Sequence, residues 1–523
     1  MRSIYGYILP VLFVFSGSNV FAQQQMLPLG DFFTETVSEA LNKSAAPVNT
    51  GFKPLLKSEV QTVFNVDSLL YDTVKAAEFL KKHNNRKIWN KLFFDDFISV
   101  KDNDFTLLIN PLFYLQYGKT DIDDDNFFIN TRGIEIKGNL GKKLSYYSDF
   151  RENQARFRPY IYDWSEKRLV VPGQGAFKRT SDDLSIFDFS GASAYLSYTP
   201  FNRINIQIGQ DKNFIGEGHR SLLLSDNAAN YPFVKFSFVF KSFKYVTLFT
   251  QFQDFEGEYY YYHFKKHGAF NYLSYNFKNR FELGLFEGVI YRTTDTSEYI
   301  NKIPADYFIP VAGVRTVVNG FNSDNNLLVG LNIKLKVNDY IQLYGQAALD
   351  DPGQNKTAYQ GGIKIFDVLR YRIKNLKFYF QAEYNTASEY TYSVSDYKFQ
   401  TWTHYNQELA VPFGGSFSEI FVKSEFSYKN FLLDIRYNDI STNKNGVYSD
   451  VYFLENYVYT ATPPEIDITH KTITLSYVIN RRTGLCLYAG ADIRTETSDV
   501  SDITEKFLMF GLRTSLSNFY YDF

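Results

Sequence analysis

The chain has 523 residues and a formal net charge of −2 at pH 7, so it lacks the basic surface that a nucleic-acid partner needs. Aromatic residues make up 18% of it, with 51 Phe and 42 Tyr against 3 Trp, yet charged residues still account for 21%. That balance exceeds the aromatic content of an ordinary α/β enzyme and suits a membrane barrel, with aromatic girdles outside and polar side chains inside. Cys486 is the only cysteine, which excludes an intramolecular disulfide and a thiolate zinc site.

Residues 1–22 read as a secretory signal. Arg2 supplies the positive start, Ile4–Phe15 the apolar run, and Val20 and Ala22 the small positions before a cut at Gln23. No Cys follows the cut, so a lipoprotein is not expected, and no later stretch reaches the roughly eighteen apolar residues of a membrane helix. Residues 23–104 are expected to form a short helical periplasmic segment. Helical spacing appears at Asp31–Asn42 and at Asp67–Asn84, the second through Leu69, Leu70, Val74, Ala77 and Leu80. The basic run Lys81–Lys87 reads as a solvated helix end or as a docking segment for headgroups or a partner. An apolar clasp, Ile88–Phe94, follows.

From Phe105 to Phe523 the pattern is strand, turn, strand. Phe105–Tyr117 carries Pro111, expected to mark a strand start or bulge. Phe127–Asn139 alternates cleanly and turns at Gly141-Lys142-Lys143 into Leu144–Glu152. Pairs follow at Phe187–Tyr198 and Arg203–Asp211, at Phe233–Lys241 and Tyr245–Phe255, and at Ala269–Phe277 and Arg280–Arg292. The second half repeats the scheme through Asn326–Asp350, Tyr359–Thr386, Glu419–Asn438, Lys471–Arg494 and Lys506–Leu516. This predicts an all-β transmembrane barrel of about eighteen antiparallel strands in the outer membrane, in contact with its lipid. Short turns alternate with long intervals, so the long ones fall outside and both termini in the periplasm. The terminal Phe523 suits the aromatic end of a closing strand. Thr293–Asn325, with Pro304 and Pro310 around Ala305–Ile309, is expected to help plug the lumen, as is Thr495–Glu505 to form an outer loop.

Two loops pair rings with polar groups. Tyr160, Tyr162, Asp163 and Trp164 stand together, and Trp402, His404, Tyr405, Asn406 and Gln407 do so again with amides added. Rings stack on the C–H faces of a sugar and amides or carboxylates hold its hydroxyls, so these are the candidate carbohydrate-binding residues; loop packing is the alternative. Tyr259–Tyr262 reads as girdle. The six histidines form no ligand set, and Asp121–Asn126 lacks the glycine and terminal Glu of a calcium loop, so neither a metal nor any other cofactor is expected. No spacing selects a carboxylate pair or a Ser–His nucleophile, and no catalytic residue is assigned.

Gln207–Phe238 is too ordered for a plain connection. Ile208-Gly209-Gln210 through Gly216-Glu217-Gly218, then Ser221, Leu222–Leu224, Ser225, Asp226, Asn227 and Pro232, resembles the motif of the Wzi-type capsule-assembly outer-membrane proteins. Phe214–Gly218 stands where that family typically has Trp-Gly-Pro-Gly. A second match, His404 to Glu419 through Asn406, Gln407, Pro412 and Gly414, is similar to the pattern of relatives in gliding bacteria, some of which carry the name gliding-motility protein RemB. The resemblance implies an eighteen-stranded barrel of lectin-like, non-enzymatic character that organises surface polysaccharide. Gly216, Gly218, Ser221, Ser225, Asp226, Asn227, Pro232, Pro412, Gly414 and Glu419 are then its structural plug. Leu222–Leu224 should pack into the barrel mouth rather than face water. The alternatives are a motility or secretion component acting through protein partners, and a general porin.

Overall fold

The computed structural model describes residues 24–523 except 71–72, 83–86, 122–125, 181–182, 257–261, 292–302, 316–324, 353–354, 370–372, 374, 394–399, 444–464 and 500. The stretch read as a secretory signal lies outside the described residues. So do most of the Tyr259–Tyr262 run and the centres of the basic run and the acidic loop.

Eighteen antiparallel strands close into one barrel. They are β1 (Phe105–Thr120), β2 (Asn126–Leu140), β3 (Leu144–Arg156), β4 (Phe187–Phe201), β5 (Ile204–Asp211) and β6 (Tyr231–Phe240). Next come β7 (Phe243–Glu256), β8 (Tyr262–Phe277), β9 (Phe281–Tyr291), β10 (Asn326–Lys336), β11 (Ile341–Asp350) and β12 (Lys356–Phe366). The last are β13 (Leu376–Ala387), β14 (Phe417–Tyr428), β15 (Phe431–Asn443), β16 (Glu465–Asn480), β17 (Leu485–Ser498) and β18 (Ser501–Arg513). Closure is by β18 on β1, from Arg513↔Tyr114 to Phe507↔Thr120.

The period-2 pattern sorts side chains as a bilayer demands. Leu196, Ile208, Phe510 and Leu508 are exposed on the outward face, while Arg151, Lys235, Glu282, Asn332 and Gln346 are buried inside. That is the reverse of a soluble sandwich and belongs to a barrel whose solvent is lipid. Pro111 sits mid-strand, opposite Ile134. On its other side it falls between the ladder to Ile98–Lys101, which ends at Ile109, and the ladder to β18, which begins at Tyr114. Its missing N–H therefore leaves no ladder bond unmade, and no bulge is needed.

The lumen is filled by four pieces of chain. From the short-turn end, helix Asp31–Lys43 enters the mouth. Glu35 pairs there with Lys423, Asp31 lies 3.2 Å from Arg436, and Asn42 Nδ2 donates to the turn carbonyl oxygens of Asn338 and Asp339. Residues 50–53 then run inside, where Phe52–Lys53 pairs with Phe214–Ile215. Gly51 is required by close approach: a Cβ there would fall on the Tyr272 hydroxyl and 2.8 Å from Asn332 Nδ2. The loop between β5 and β6 and the hairpin around Trp402 descend from the opposite end. Finally, residues 514–523 turn inward after β18 and climb the lumen.

Val66–Leu70 and Thr73–Lys82 are helical across the second predicted helix, residues 71–72 lying outside the described ones. Several expectations change. Thr495–Glu505 is not a loop, because β17 and β18 run on to the pair Ser498↔Ser501. Phe523 does not end a closing strand; it lies buried among lumen rings. The Pro304–Pro310 segment does not plug the lumen. Tyr307 packs on the outward face of the wall with Ala269, Val289 and Leu327, and Tyr245 Oη donates to Pro310 O. The inner face at that level is already occupied by Trp402 and Leu223, so its rings find space only outside.

Candidate functional site at the outer mouth

The plug loop is built from the glycine and Leu-rich motif. Gly216 has φ +135, a conformation open to glycine, and its N–H donates to Gly51 O at 2.8 Å. At Gly218 a Cβ would come 2.7 Å from Arg220 O and 2.8 Å from Gln360 Nε2. Ser221 Oγ accepts from the Leu223 and Leu224 N–H groups at 3.2 and 3.3 Å. Leu222, Leu223 and Leu224 are fully buried. Wall and loop satisfy the backbone around them: Leu222 N donates to Gln346, Tyr392 Oη to Leu222 O, and Trp402 Nε1 to Leu223 O. A buried loop is tolerable because such groups are paired.

The second motif meets the first. Ser225 N donates to Leu409 O at 2.7 Å, and Asn227 Nδ2 to Glu408 O at 2.9 Å. Arg220 is held by Glu419 through Nε at 3.1 Å and Nη2 at 2.9 Å. Gly414, at φ +70, turns the chain between them, Pro412 precedes it, and Pro232 is the second residue of β6, on an outward position. Asp226 accepts from Tyr520 Oη at 2.7 Å, which brings in the C-terminal segment. Burial in this knot pushes the Lys212 ammonium down to about 8, and it donates to Gly173 O and Asp226 O.

The two ring-bearing segments also come together. Helix Pro159–Arg168 begins on proline, whose absent N–H is not needed there, and stops at Leu169 in the left-handed region. Its last residue, Arg168, donates to Asn406 O at 3.0 Å and pairs with Glu408 at 3.1 Å, both buried. Asn406 Nδ2 returns a bond to Arg168 O. Gln407 accepts from Gly173 N at 2.6 Å and donates to Gln174 O at 2.8 Å. One outer lobe is thus assembled from stretches distant in the chain.

Within that lobe the candidate residues differ. Trp402 is 1% exposed, edge-on to Phe270 and Phe286. His404, Asn406 and Gln407 are buried with their polar atoms bonded inside the protein, and Tyr405 is half-buried. Burial pushes the His404 imidazole down to about 4; Gln253 N donates to its Nδ1 at 3.0 Å. Tyr160, Tyr162 and Trp164 are half-buried and Asp163 is exposed. Tyr162 stacks on Phe187 at 5.1 Å, Trp164 lies 5.2 Å from Phe523, and Tyr160 Oη donates to Tyr521 O. Sequence reasoning missed Arg168, Glu408, Arg220 and Asp522, because their partners lie hundreds of residues away and leave no local signal.

A closed strand array, an apolar outer band and a filled lumen define an outer-membrane β-barrel. No protein-family model matches the chain, and no curated relative does. Among solved structures the chain is similar to Wzi of Escherichia coli, described as an outer-membrane protein involved in group 1 capsule assembly and a carbohydrate-binding β-barrel. The TM-score is 0.56 at 12% identity, covering 94% of this chain and 100% of Wzi. OccAB2 of Acinetobacter baumannii matches at a TM-score of 0.42 and 12% identity, over 78% of this chain and 97% of that one. OccK1 of Pseudomonas aeruginosa matches at 0.42 and 11%, over 77% and 97%. At these identities the likeness concerns the fold.

Proposed function

We propose that this barrel binds and organises surface polysaccharide, in a lectin-like manner and without chemistry on the glycan. The observation that carries the reading is the outer lobe itself. Two ring-bearing segments are locked together by Arg168 and Glu408 above a lumen packed with side chains. Such a barrel has a rigid presenting surface and little room for solute flow. Likeness to Wzi over nearly the whole chain supports the same reading.

The contact is assigned first to Tyr162, Asp163 and Trp164, which keep accessible surface on the lobe. Trp402, His404, Asn406 and Gln407 hold the lobe to the plug, with Tyr405 at the margin. Calorimetric titration of the detergent-solubilised protein with lipid-free surface polysaccharide tests this. Saturable binding is expected. No binding, with an unchanged polysaccharide layer in a deletion strain, would reject the reading, and large steady currents in planar bilayers would point to a porin instead.

A further inference from the structure

The barrel wall has a gap near its outer end. The β4–β5 ladder stops at Ala194↔Gln210, because β5 ends at Asp211 and the chain turns into the lumen. The β6–β7 ladder begins only at Phe233↔Thr250, while β7 continues to Glu256 against β8 alone. Beyond the ends of β5 and β6, the edges of β4 and β7 therefore face each other with no barrel strand between them. Higher up, Lys178–Arg179 covers Asp188 and Phe187. Among the described residues no strand covers Phe189–Ser193 on that side.

The gap is framed rather than sealed. Tyr405 N donates to Gln253 O at 2.7 Å and Phe255 N to Asn406 Oδ1 at 2.9 Å, so the Trp402 hairpin caps the β7 edge. Asn230 Nδ2 reaches Ala192 O and Ser193 Oγ, both at 2.9 Å, at the lower corner. Between these borders lies a cavity of about 380 Å³. That is within the range of about 300–1,000 Å³ for small-molecule sites. It opens outward past Ser190, Ala192 and Gln210, all exposed, and ends inward on Phe519 of the C-terminal segment.

We propose that this opening is a lateral binding window for a sugar residue. Its lining has the mixture a pyranose needs: the rings of Tyr405, Phe255 and Phe519, the amides of Gln210 and Gln253, and main-chain groups of the uncovered β4 edge. The small residues Gly175, Gly191 and Ala192 leave its mouth open. Its level fits the same ligand. Leu196, Ile208 and Phe236, exposed apolar residues of the outward band, lie directly below, so the window opens where the band ends and headgroup sugars begin. A glycan lying along the membrane surface enters from the side, without passing the plug.

The inference rests on the polysaccharide-binding reading and gives it a second contact, distinct from the lobe helix. Ala192→Cys provides the test, since the native Cys486 is buried and the unsubstituted chain supplies the labelling background. Labelling by a membrane-impermeant maleimide is measured with lipid-free surface polysaccharide and, separately, with lipopolysaccharide from the same cells. Saturating glycan is expected to slow labelling about fivefold or more, and Ala192→Trp to weaken binding by a similar factor. Protection by lipopolysaccharide alone identifies a lipid-linked sugar as the source; protection by the lipid-free polymer identifies the free glycan. A thiol left unprotected in the Ala192→Cys variant, with normal binding by the natural chain, overturns the window and leaves the proposed function standing. A natural chain that binds neither polymer overturns both. If Ala192→Trp fails to fold, the protection of the introduced thiol still decides.

Discussion

Arg220 Nη2 lies 3.0 Å from Asp522 Oδ2, joining the plug loop to the C-terminal segment inside the barrel. The same guanidinium holds Glu419 of β14, and its ring neighbours are Phe413 and Tyr520, at 5.3 and 5.1 Å. Burial disfavours the Asp522 carboxylate, but Arg220 and His219 hold it well below the usual range. Arg220→Met would leave the buried Glu419 and the partly buried Asp522 without the guanidinium, a loss of about 3–5 kcal/mol for a broken buried pair. The expected result is a barrel that still inserts but whose plug opens, read as new conductance steps in planar bilayers. A silent variant with unchanged urea unfolding would show that the cluster does not hold the plug.

Leu223 fixes the plug against the wall. It is fully buried, and a Cβ on Gly330 of β10 would fall on its Cδ2. Leu223→Ala should cost about 2–5 kcal/mol. Gly330→Ala should cost about 1–3 kcal/mol by overpacking. Combined, they should cost less than the sum, since the truncated side chain vacates the space the new methyl needs. Additive effects in a double-mutant cycle would mean that the two positions are not in contact.

The fold was legible because period-2 alternation and short basic turns are local signals. The turns at Lys278-Asn279 and Lys429 bear positive φ, as tight hairpins require. Alternation does not say what fills the inner face. Nothing near Phe519–Phe523 shows that this segment climbs the lumen, and nothing near Tyr307 shows that its ring chooses the outside of the wall. Trp402 was visible as a ring beside polar groups, a pattern shared by a sugar site and a satisfied core. Its enclosure by Phe270 and Phe286 and the bond from its Nε1 to Leu223 O separate them.

His404 makes the plug hairpin sensitive to acid. Buried and bonded from Gln253 N, its folded-state value of about 4 is below the ordinary 6.5. The neutral ring is therefore favoured in the folded state. The stability it contributes is complete above pH 6.5 and is lost as pH falls toward 4, by at most about 3 kcal/mol. Nearby Asp254 and Lys266 act on the ring in opposite directions. Between pH 6.5 and 5, the protection of the amides at Trp402–Leu409, taken as exchange relative to the intrinsic rate at each pH, should fall in the natural chain. In His404→Asn that protection should be lower throughout but flat with pH. An equally steep profile in that variant would place the sensitivity elsewhere.

Trp164 and Trp402 separate presentation from support. Trp164 lies on the lobe helix with Arg168 at 4.7 Å from its ring and Phe523 behind it, and its surface is partly open. Trp402 is enclosed, close enough to the wall that a Cβ on Gly288 would come 2.6 Å from its ring. Trp164→Ala together with Tyr162→Ala should reduce polysaccharide affinity, each ring contributing about 0.5–1.5 kcal/mol, with a small change in melting. Trp402→Ala should instead destabilise the plug by about 3–5 kcal/mol. Its effect on affinity should then track unfolding of the lobe and recover at lower temperature. Titrations and melts of both variants, at two temperatures, distinguish the cases. If Trp402→Ala abolished binding while its melting stayed that of the natural chain, the enclosed ring would be a ligand contact reached through motion of the hairpin.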